Sequence, residues 1–90
     1  MTHSMNLTKS AFDLILSGHK TVEMRLYDEK RQKLVVGDNI TFSCVGDGRS
    51  FTAVITRLTR HKDFCDLYTY YTAENIQKYG VLAISVKVLQ

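Results

Sequence analysis

Period-two alternation of apolar and polar residues is the feature that most constrains the fold of this chain. Residues 20–26 (KTVEMRL) form two rows of side chains, with Val22, Met24 and Leu26 in one row and Thr21, Glu23 and Arg25 in the other. The alternation recurs in residues 39–44 and 81–89, while residues 50–59 are rich in the Thr, Val and Ile that strands favour. Because successive side chains point to opposite faces of a strand, these segments predict strands with one apolar, core-facing side.

A helix is predicted over residues 10–17, where the apolar side chains recur at helical spacing. Ser10, followed three positions later by Asp13, has the pattern of a capping box at the start of that helix. Gly18 stands where a left-handed residue at the end of a helix is favoured. Residues 5–8, just before this helix, are predicted to form a short first strand.

The remaining segments predict turns and further helices. Residues 28–33 are too charged and short for the core and predict a loop or a single helical turn. Asp47 and Gly48 predict a hairpin with a primed turn, which needs positive φ at both central residues. A second helix is predicted over residues 63–71, with Asp63 as its cap, and a further short turn over residues 72–80, which Gly80 would end.

The length of 90 residues allows one domain with a single core, and we expect residues 1–90 to form it, with residues 1–4 as a disordered tail. Hydrophobic residues make up 44% of the chain and charged residues 23%, which is typical of a globular protein. Strands mixed with short helices predict an α+β fold. An antiparallel sheet curled into a small barrel would protect the edges of so short a chain.

Composition disfavours several classes of function. No apolar run is long enough to span a bilayer, and MTHSMNLTKS lacks the apolar stretch of a secretion signal, so a cytoplasmic protein with no membrane partner is expected. In a reducing compartment, free thiols at Cys44 and Cys65 are favoured over a disulfide. The two cysteines also lack metal-ligand spacing, and no metal or other cofactor is expected. No nucleophile or phosphate-loop motif is present. The formal net charge of +3 is compatible with an anionic partner.

Residues 10–42, SAFDLILSGHKTVEMRLYDEKRQKLVVGDNITF, resemble the first half of an ASCH (activating signal cointegrator homology) domain, of the PUA-like superfamily. Such domains read as an apolar helix, then G-x-K-T-x-E-x-R, a basic segment and a G-D turn into a strand. The matching residues here are Gly18, Lys20, Thr21, Glu23, Arg25, Gly37 and Asp38. The tail YYTAENIQKYGVLAISV, residues 70–86, resembles the closing segment of the family.

The resemblance implies a PUA-like small β-barrel of five to six mostly antiparallel strands with two to three short helices. It also implies a cleft between barrel and helices that takes up RNA or a nucleotide-like small molecule. ASCH domains often carry a longer helical insert before the last strand. Only residues 61–80 are available for it here, so the insert is expected to be much reduced.

The resemblance identifies Lys20, Thr21, Glu23 and Arg25 as candidate ligand- or RNA-binding residues. On spacing alone, Lys20 is a solvated cation, and Glu23 with Arg25 an exposed ion pair worth little. In a partly closed cleft, Lys20 would contact a phosphate or carbonyl, and Arg25 would present its planar fork to a phosphate or base edge, oriented by Glu23. Thr21 would either donate its hydroxyl or simply favour the strand.

Two alternatives stay open. Some small family members resemble amidohydrolases that deacetylate N4-acetylcytidine, and these pair the motif lysine with a threonine three residues later and a glutamate on the insert. In a hydrolase of this kind Lys20 and Glu23 would be the catalytic residues, although Glu23 stands at the threonine position. The other alternative is a regulatory or protein-interaction domain. The sequence leaves enzymatic activity, ligand identity and oligomeric state open.

Basic and aromatic residues outside the motif are further candidates for contact with a nucleic acid. A basic surface that follows an RNA backbone could be formed by Lys30, Arg31, Lys33, Arg57, Arg60 and Lys62, which could equally be ordinary solvated residues. Tyr70 and Tyr79 are candidates for stacking on bases, whereas helical spacing favours Tyr68 and Tyr71 as core residues.

Overall fold

The computed structural model describes residues 1–62 and 72–89, which contain five strands and two α-helices. These elements are β1 (Thr2–Leu7), α1 (Lys9–Leu16), β2 (Val22–Leu26), β3 (Asn39–Cys44), β4 (Ser50–His61), α2 (Ala73–Tyr79) and β5 (Val81–Val88). A 3-10 turn lies at Arg31–Lys33, within the segment predicted as a loop or single turn. The α+β class is confirmed. The helix predicted over residues 63–71 lies outside the described residues, as do Cys65, Tyr68, Tyr70 and Tyr71.

The five strands form one mixed sheet in the order β1-β3-β4-β5-β2, curled into a half-barrel. β1 runs parallel to β3, and the other neighbours are antiparallel. The register between β4 and β5 shifts between Ile55 and Arg57, an irregularity that bends and twists a strand. Because β1 and β2 end the order, they are the two edge strands of the half-barrel.

The first strand is longer than predicted. β1 begins at Thr2, and its ladder with β3 runs from the Thr2–Asn39 pair to the Leu7–Cys44 pair. Residues 2–4 therefore belong to the sheet, and the expectation of a disordered tail over residues 1–4 is wrong for them. The ring of His3 adds a side-chain contact, since its Nε2 lies 2.8 Å from Oδ2 of Asp38. Parallel pairing with β3 supplies partners that local alternation does not reveal.

The predicted cap of the first helix is also wrong. Thr8, not Ser10, is the N-cap of α1, and its Oγ1 accepts a hydrogen bond from the N–H of Ala11 at 3.4 Å. The cap comes directly after β1 because the strand ends at Leu7, so the helix starts earlier than residue 10. Asp13 instead forms an ion pair with Arg49 at 3.1 Å. Gly18 has φ +84°, as predicted for a residue that ends a helix.

The β3–β4 hairpin exists, but its turn differs from the prediction. Positive φ occurs at Gly46 (+95°) and Gly48 (+75°) and at no non-glycine residue of the described chain, so Asp47 is not in the left-handed region. The connection is a longer loop over residues 45–49, closed by the N–H of Cys44 donating to the carbonyl of Arg49 at 2.8 Å. Two glycines flanking an aspartate thus replace the two-residue primed turn.

Buried apolar side chains form two clusters on opposite sides of β2. The larger fills the half-barrel and is capped by α1, with members that include Met5, Phe12, Ile40, Phe42, Ile55, Leu82 and Ile84. The smaller lies under α2 and consists of Leu26, Ile76 and Val81, with the partly buried Met24 packed against it. Thr72 caps α2 and Gly80 ends it, as the predicted turn over residues 72–80 required.

Candidate ligand-binding site

The polar row of β2 faces the inside of the half-barrel. Glu23 pairs with Ile84 of β5, and Arg25 pairs with Leu82. Directly opposite residues of an antiparallel pair share a face, and both partners belong to the larger core cluster. The interpretation of Glu23 and Arg25 as an exposed ion pair on the solvent side of the strand is therefore wrong. The prediction that the apolar row is core is confirmed for Leu26, which is buried in the smaller cluster under α2, so both faces of β2 are covered.

Glu23 is held between two cations. Its residue is 7% exposed, and it is the one charged residue that is buried among those described. Its Oε1 lies 3.3 Å from Nζ of Lys20, and its Oε2 lies 3.3 Å from Nη2 of Arg25. We call Lys20, Glu23 and Arg25 the motif cluster. Burial of a carboxylate is costly unless it is paired and hydrogen-bonded, and both requirements are met here.

The carboxylate of Glu23 retains acceptor capacity. An ionised carboxylate offers about four lone-pair positions, two on each oxygen. Oε1 accepts from Lys20 and also from the backbone N–H of Met24 at 3.2 Å, while Oε2 accepts from Arg25. The described contacts therefore leave one position on Oε2 for a donor supplied by a ligand.

Arg25 links the motif cluster to the far edge of the sheet. Its Nη2 donates to the backbone carbonyl of Asn6 on β1 at 2.9 Å, as well as to Glu23. The side chain is 20% exposed, and its Nε is buried without a hydrogen-bond partner among the described residues. The guanidinium is thus fixed in place by two acceptors.

Lys20 and Thr21 lie at the entrance to β2 and differ in their relation to the cluster. The Lys20 side chain is 36% exposed, so its ammonium contacts both Glu23 and solvent. Thr21 is exposed, and its backbone carbonyl accepts a hydrogen bond from the N–H of Val86 at 2.8 Å. The structure therefore brings together Lys20, Glu23 and Arg25 and leaves Thr21 at their margin.

The sequence analysis did not identify two neighbours of the motif cluster, Asn6 and Tyr27. Asn6 contributes a backbone carbonyl, which leaves no signal in residue type. Tyr27 follows Arg25 on the same face, packs against the larger core and carries the guanidinium of Arg60 at 4.2 Å from its ring centroid. The i, i+2 spacing of Arg25 and Tyr27 could have indicated the shared face. The placement of Arg60 depends on the pairing of β4 with β5.

Of the six other basic candidates, Lys30, Lys33 and Arg57 are simply exposed, and the remaining three have described surroundings. Arg31 forms an ion pair with Asp28 at 2.8 Å, and this contact lies at the 3-10 turn. Arg60 and Lys62 lie together with Tyr79 along one groove at the end of β4. Cys44 is not a candidate nucleophile, because burial raises the pKa of its thiol, and the thiolate is the reactive form.

Comparison with known proteins adds the family to this geometry. The sequence model of the ASCH domain matches residues 5–90. The chain belongs to the ASCH family. The predicted resemblance is thereby confirmed over nearly the whole of this ASCH domain. No curated protein matches its sequence. None of the helices in residues 1–62 and 72–89 is long and apolar enough to cross a membrane.

Two solved structures are similar to this ASCH domain over its whole length. The crystal structure of hypothetical protein PH0355 is 27% identical, with a TM-score of 0.85 over 99% of this chain and 100% of that one. The solution NMR structure of protein PF0455 from Pyrococcus furiosus is 25% identical, with a TM-score of 0.74 over 100% of this chain and 99% of that one. The curled five-stranded sheet is therefore a fold that solved structures share.

Proposed function

We propose that this ASCH domain is a single cytoplasmic binding domain that holds RNA, or a nucleotide-like small molecule, at the motif cluster. The observation that carries the proposal is Glu23, buried on the inner face of an edge strand between two cations that both retain solvent access. Apolar residues could fill the same face at least as favourably as a charged trio. Binding of a ligand would explain why charged residues stand at these three positions.

The charge of the motif cluster suits an anionic ligand. Lys20 and Arg25 contribute two positive charges against the single carboxylate of Glu23, which leaves a local excess of one positive charge. Lys20 has three N–H donors and uses one on Glu23, so two are free for a phosphate among the described contacts. Because the side chain of Arg25 is already fixed by two acceptors, it would lose little conformational entropy when a ligand binds to it.

Glu23 supplies a means of recognising a base. The free position on Oε2 can accept a hydrogen bond from an exocyclic amine, the group that cytosine, adenine and guanine present and uracil lacks. Phosphate contact through Lys20 and base contact through Glu23 would then select a nucleotide, rather than any anion.

Titration of labelled single-stranded and hairpin RNAs at 50 and 200 mM salt, followed by fluorescence anisotropy, tests the proposal. We expect binding to weaken by about tenfold or more in Arg25→Ala and in Lys20→Gln, since each removes a charge-assisted contact. Lys9→Gln is the matched control, because Lys9 is exposed on α1 and lies outside the motif cluster. Binding that is undetectable at low salt, or unchanged in both cluster variants, would overturn it.

Hydrolysis of an acylated nucleoside is the second candidate, and the contact between Lys20 and Glu23 at 3.3 Å favours it. Lys20 would polarise the acetyl carbonyl, and Glu23 would take a proton from the water that attacks its carbon. The C–N bond would then break, with Glu23 returning that proton to the amine of cytidine and the acetyl group leaving as acetate. Incubation with N4-acetylcytidine, followed by chromatography of released cytidine, decides between the two functions. Turnover that disappears in Lys20→Ala would place hydrolysis first, whereas no turnover by the parent protein would reject it for this substrate.

A further inference from the structure

A second polar surface lies outside the motif cluster, between the end of β4 and the end of α2. It is an open groove of about 430 Å³, lined by residues that include Arg60, Lys62, Lys78, Tyr79 and Gly80. Gly80 allows the two walls of the groove to approach closely, since it has φ +75° and a Cβ there would lie only 3.2 Å from the carbonyl oxygen of His61. We call this surface the β4–α2 groove.

The β4–α2 groove is positively charged. Arg60, Lys62 and Lys78 contribute three cations, and no carboxylate is among the described residues that line it. This contrasts with Arg31 and Arg49, which form ion pairs with Asp28 and with Asp13 and Asp47. Concentration of one sign of charge in a concave surface raises its potential for ions of the opposite sign. The groove therefore suits a polyanion.

Two of the three cations are positioned by aromatic rings. The guanidinium carbon of Arg60 lies 4.2 Å from the centroid of Tyr27, and Nζ of Lys78 lies 5.0 Å from the centroid of Tyr79. An aromatic face restrains a cation without neutralising it, so the N–H groups remain able to donate to phosphate oxygens. The ring of Tyr79, which is half-buried, lies at the same groove and offers a surface for a base.

The β4–α2 groove adjoins the motif cluster through the register of the sheet. Arg60 of β4 and Arg25 of β2 both pair with Leu82 of the intervening β5. Two steps between neighbouring strands separate the two arginines by about 10 Å, and paired residues share a face. Tyr27, two residues after Arg25, has the guanidinium of Arg60 over its ring. Arg60 is thus the part of the groove that shares a face with Arg25, whereas Lys78 and Tyr79 belong to α2, which packs on the opposite face of β2. A flexible polyanion that contacts both surfaces passes around the end of β2.

We propose that the β4–α2 groove binds the phosphodiester backbone of a single-stranded RNA, one nucleotide of which occupies the motif cluster. This inference rests on the proposed function for the nature of the ligand and adds to it a second contact surface. A single strand fits because its backbone can bend from the motif cluster into the groove while its bases remain free to stack on Tyr79. Affinity then grows with the length of the RNA beyond one nucleotide.

The test compares two variants that lose the same charge. Lys62→Gln/Lys78→Gln removes two cations from the β4–α2 groove, and Lys9→Gln/Lys87→Gln removes two exposed cations elsewhere. All four positions are exposed, so the folds should be unaffected, and circular dichroism checks this. Arg60 is left intact because its substitution would also remove the contact with Tyr27. Binding is measured with a nucleoside monophosphate and with single-stranded RNAs of 2, 4, 8 and 12 nucleotides, roughly spanning one to several phosphate contacts.

We expect the groove variant to bind the longest RNAs about tenfold more weakly than the parent protein. The slope of log K against log[salt] should become smaller in magnitude by about 1.4, since two phosphate contacts are lost. Both quantities should change far less in the control variant. Binding of the monophosphate should be unaltered in both. Equal weakening in the two variants, or affinity independent of length in the parent protein, would overturn the inference while leaving the motif cluster intact. If the parent binds neither monophosphate nor RNA, the proposed function fails, and the inference fails with it.

Discussion

Arg25 of β2 donates a hydrogen bond from its Nη2 to the backbone carbonyl of Asn6 in β1, at 2.9 Å. These strands are the opposite edges of the five-stranded sheet, so one side chain joins the two edges of the half-barrel. The same Nη2 also lies 3.3 Å from the carboxylate of Glu23. One residue therefore contributes both to the closure of the half-barrel and to the arrangement of the candidate site.

Substitution of Arg25 should destabilise the fold as well as weaken the binding of a ligand. Arg25→Ala leaves the carbonyl of Asn6 and one oxygen of Glu23 without their donor, a loss of about 1–2 kcal/mol, which corresponds to a fall in Tm of roughly 4–16 °C. Arg25→Lys should recover only part of this, since an ammonium lacks the planar fork. Thermal unfolding followed by circular dichroism measures both. Arg57→Ala, at an exposed arginine of β4, is the control, and equal destabilisation there would contradict the prediction.

Neutralisation of Glu23 should also destabilise the protein. Glu23→Gln keeps the size of the side chain but removes the charge that Lys20 and Arg25 share, and we expect a decrease of about 1–3 kcal/mol in the free energy of unfolding. Urea denaturation at pH 7 measures the change. Glu29→Gln provides a matched control at an exposed loop position, where the change should be small. A Glu23→Gln protein as stable as this control would show that the buried ion pairs contribute nothing.

The identity of the α1 cap gives a prediction that separates sequence pattern from structure. Thr8→Ala should destabilise the protein by about 1 kcal/mol, because it removes the acceptor for the N–H of Ala11. Ser10→Ala should be neutral or slightly stabilising, since Ser10 lies within the helix and alanine has the higher helix propensity. Chemical denaturation of the two variants compares them. The reverse order would restore Ser10 as the cap.

The stability of the docked first strand should fall in acid. The hydrogen bond with His3 holds the pKa of Asp38 below its ordinary value of 3.8. The folded protein therefore binds this proton less readily than the unfolded chain does. The stabilisation is complete above the ordinary pKa and is lost as the pH falls through the lower folded-state pKa. Denaturation of the parent and of Asp38→Asn between pH 7 and pH 2 should show a difference in stability that shrinks toward the acid end. A difference independent of pH would contradict this assignment.

The residues of the candidate site could be selected from the sequence, but their environment could not. Alternation correctly placed Glu23 and Arg25 on one face, and the family resemblance added Lys20. Alternation does not say which face is buried, and here α2 covers the apolar row while the half-barrel encloses the polar one. The contact between Arg25 and Asn6 joins residues 19 positions apart, and it exists because the sheet curls.

What the sequence alone determined is local. The positions of β2 to β5 follow from alternation and strand-favouring composition, and the ends of α2 follow from Thr72 and Gly80, because capping and left-handed backbone are properties of a few neighbouring residues. Tertiary structure decided the rest: the cap at Thr8, the loop over residues 45–49, the inward side of β2 and the meeting of Arg60 with Tyr27. Each of these depends on which distant strand or helix lies alongside, and short-range sterics and side-chain periodicity carry no information about that.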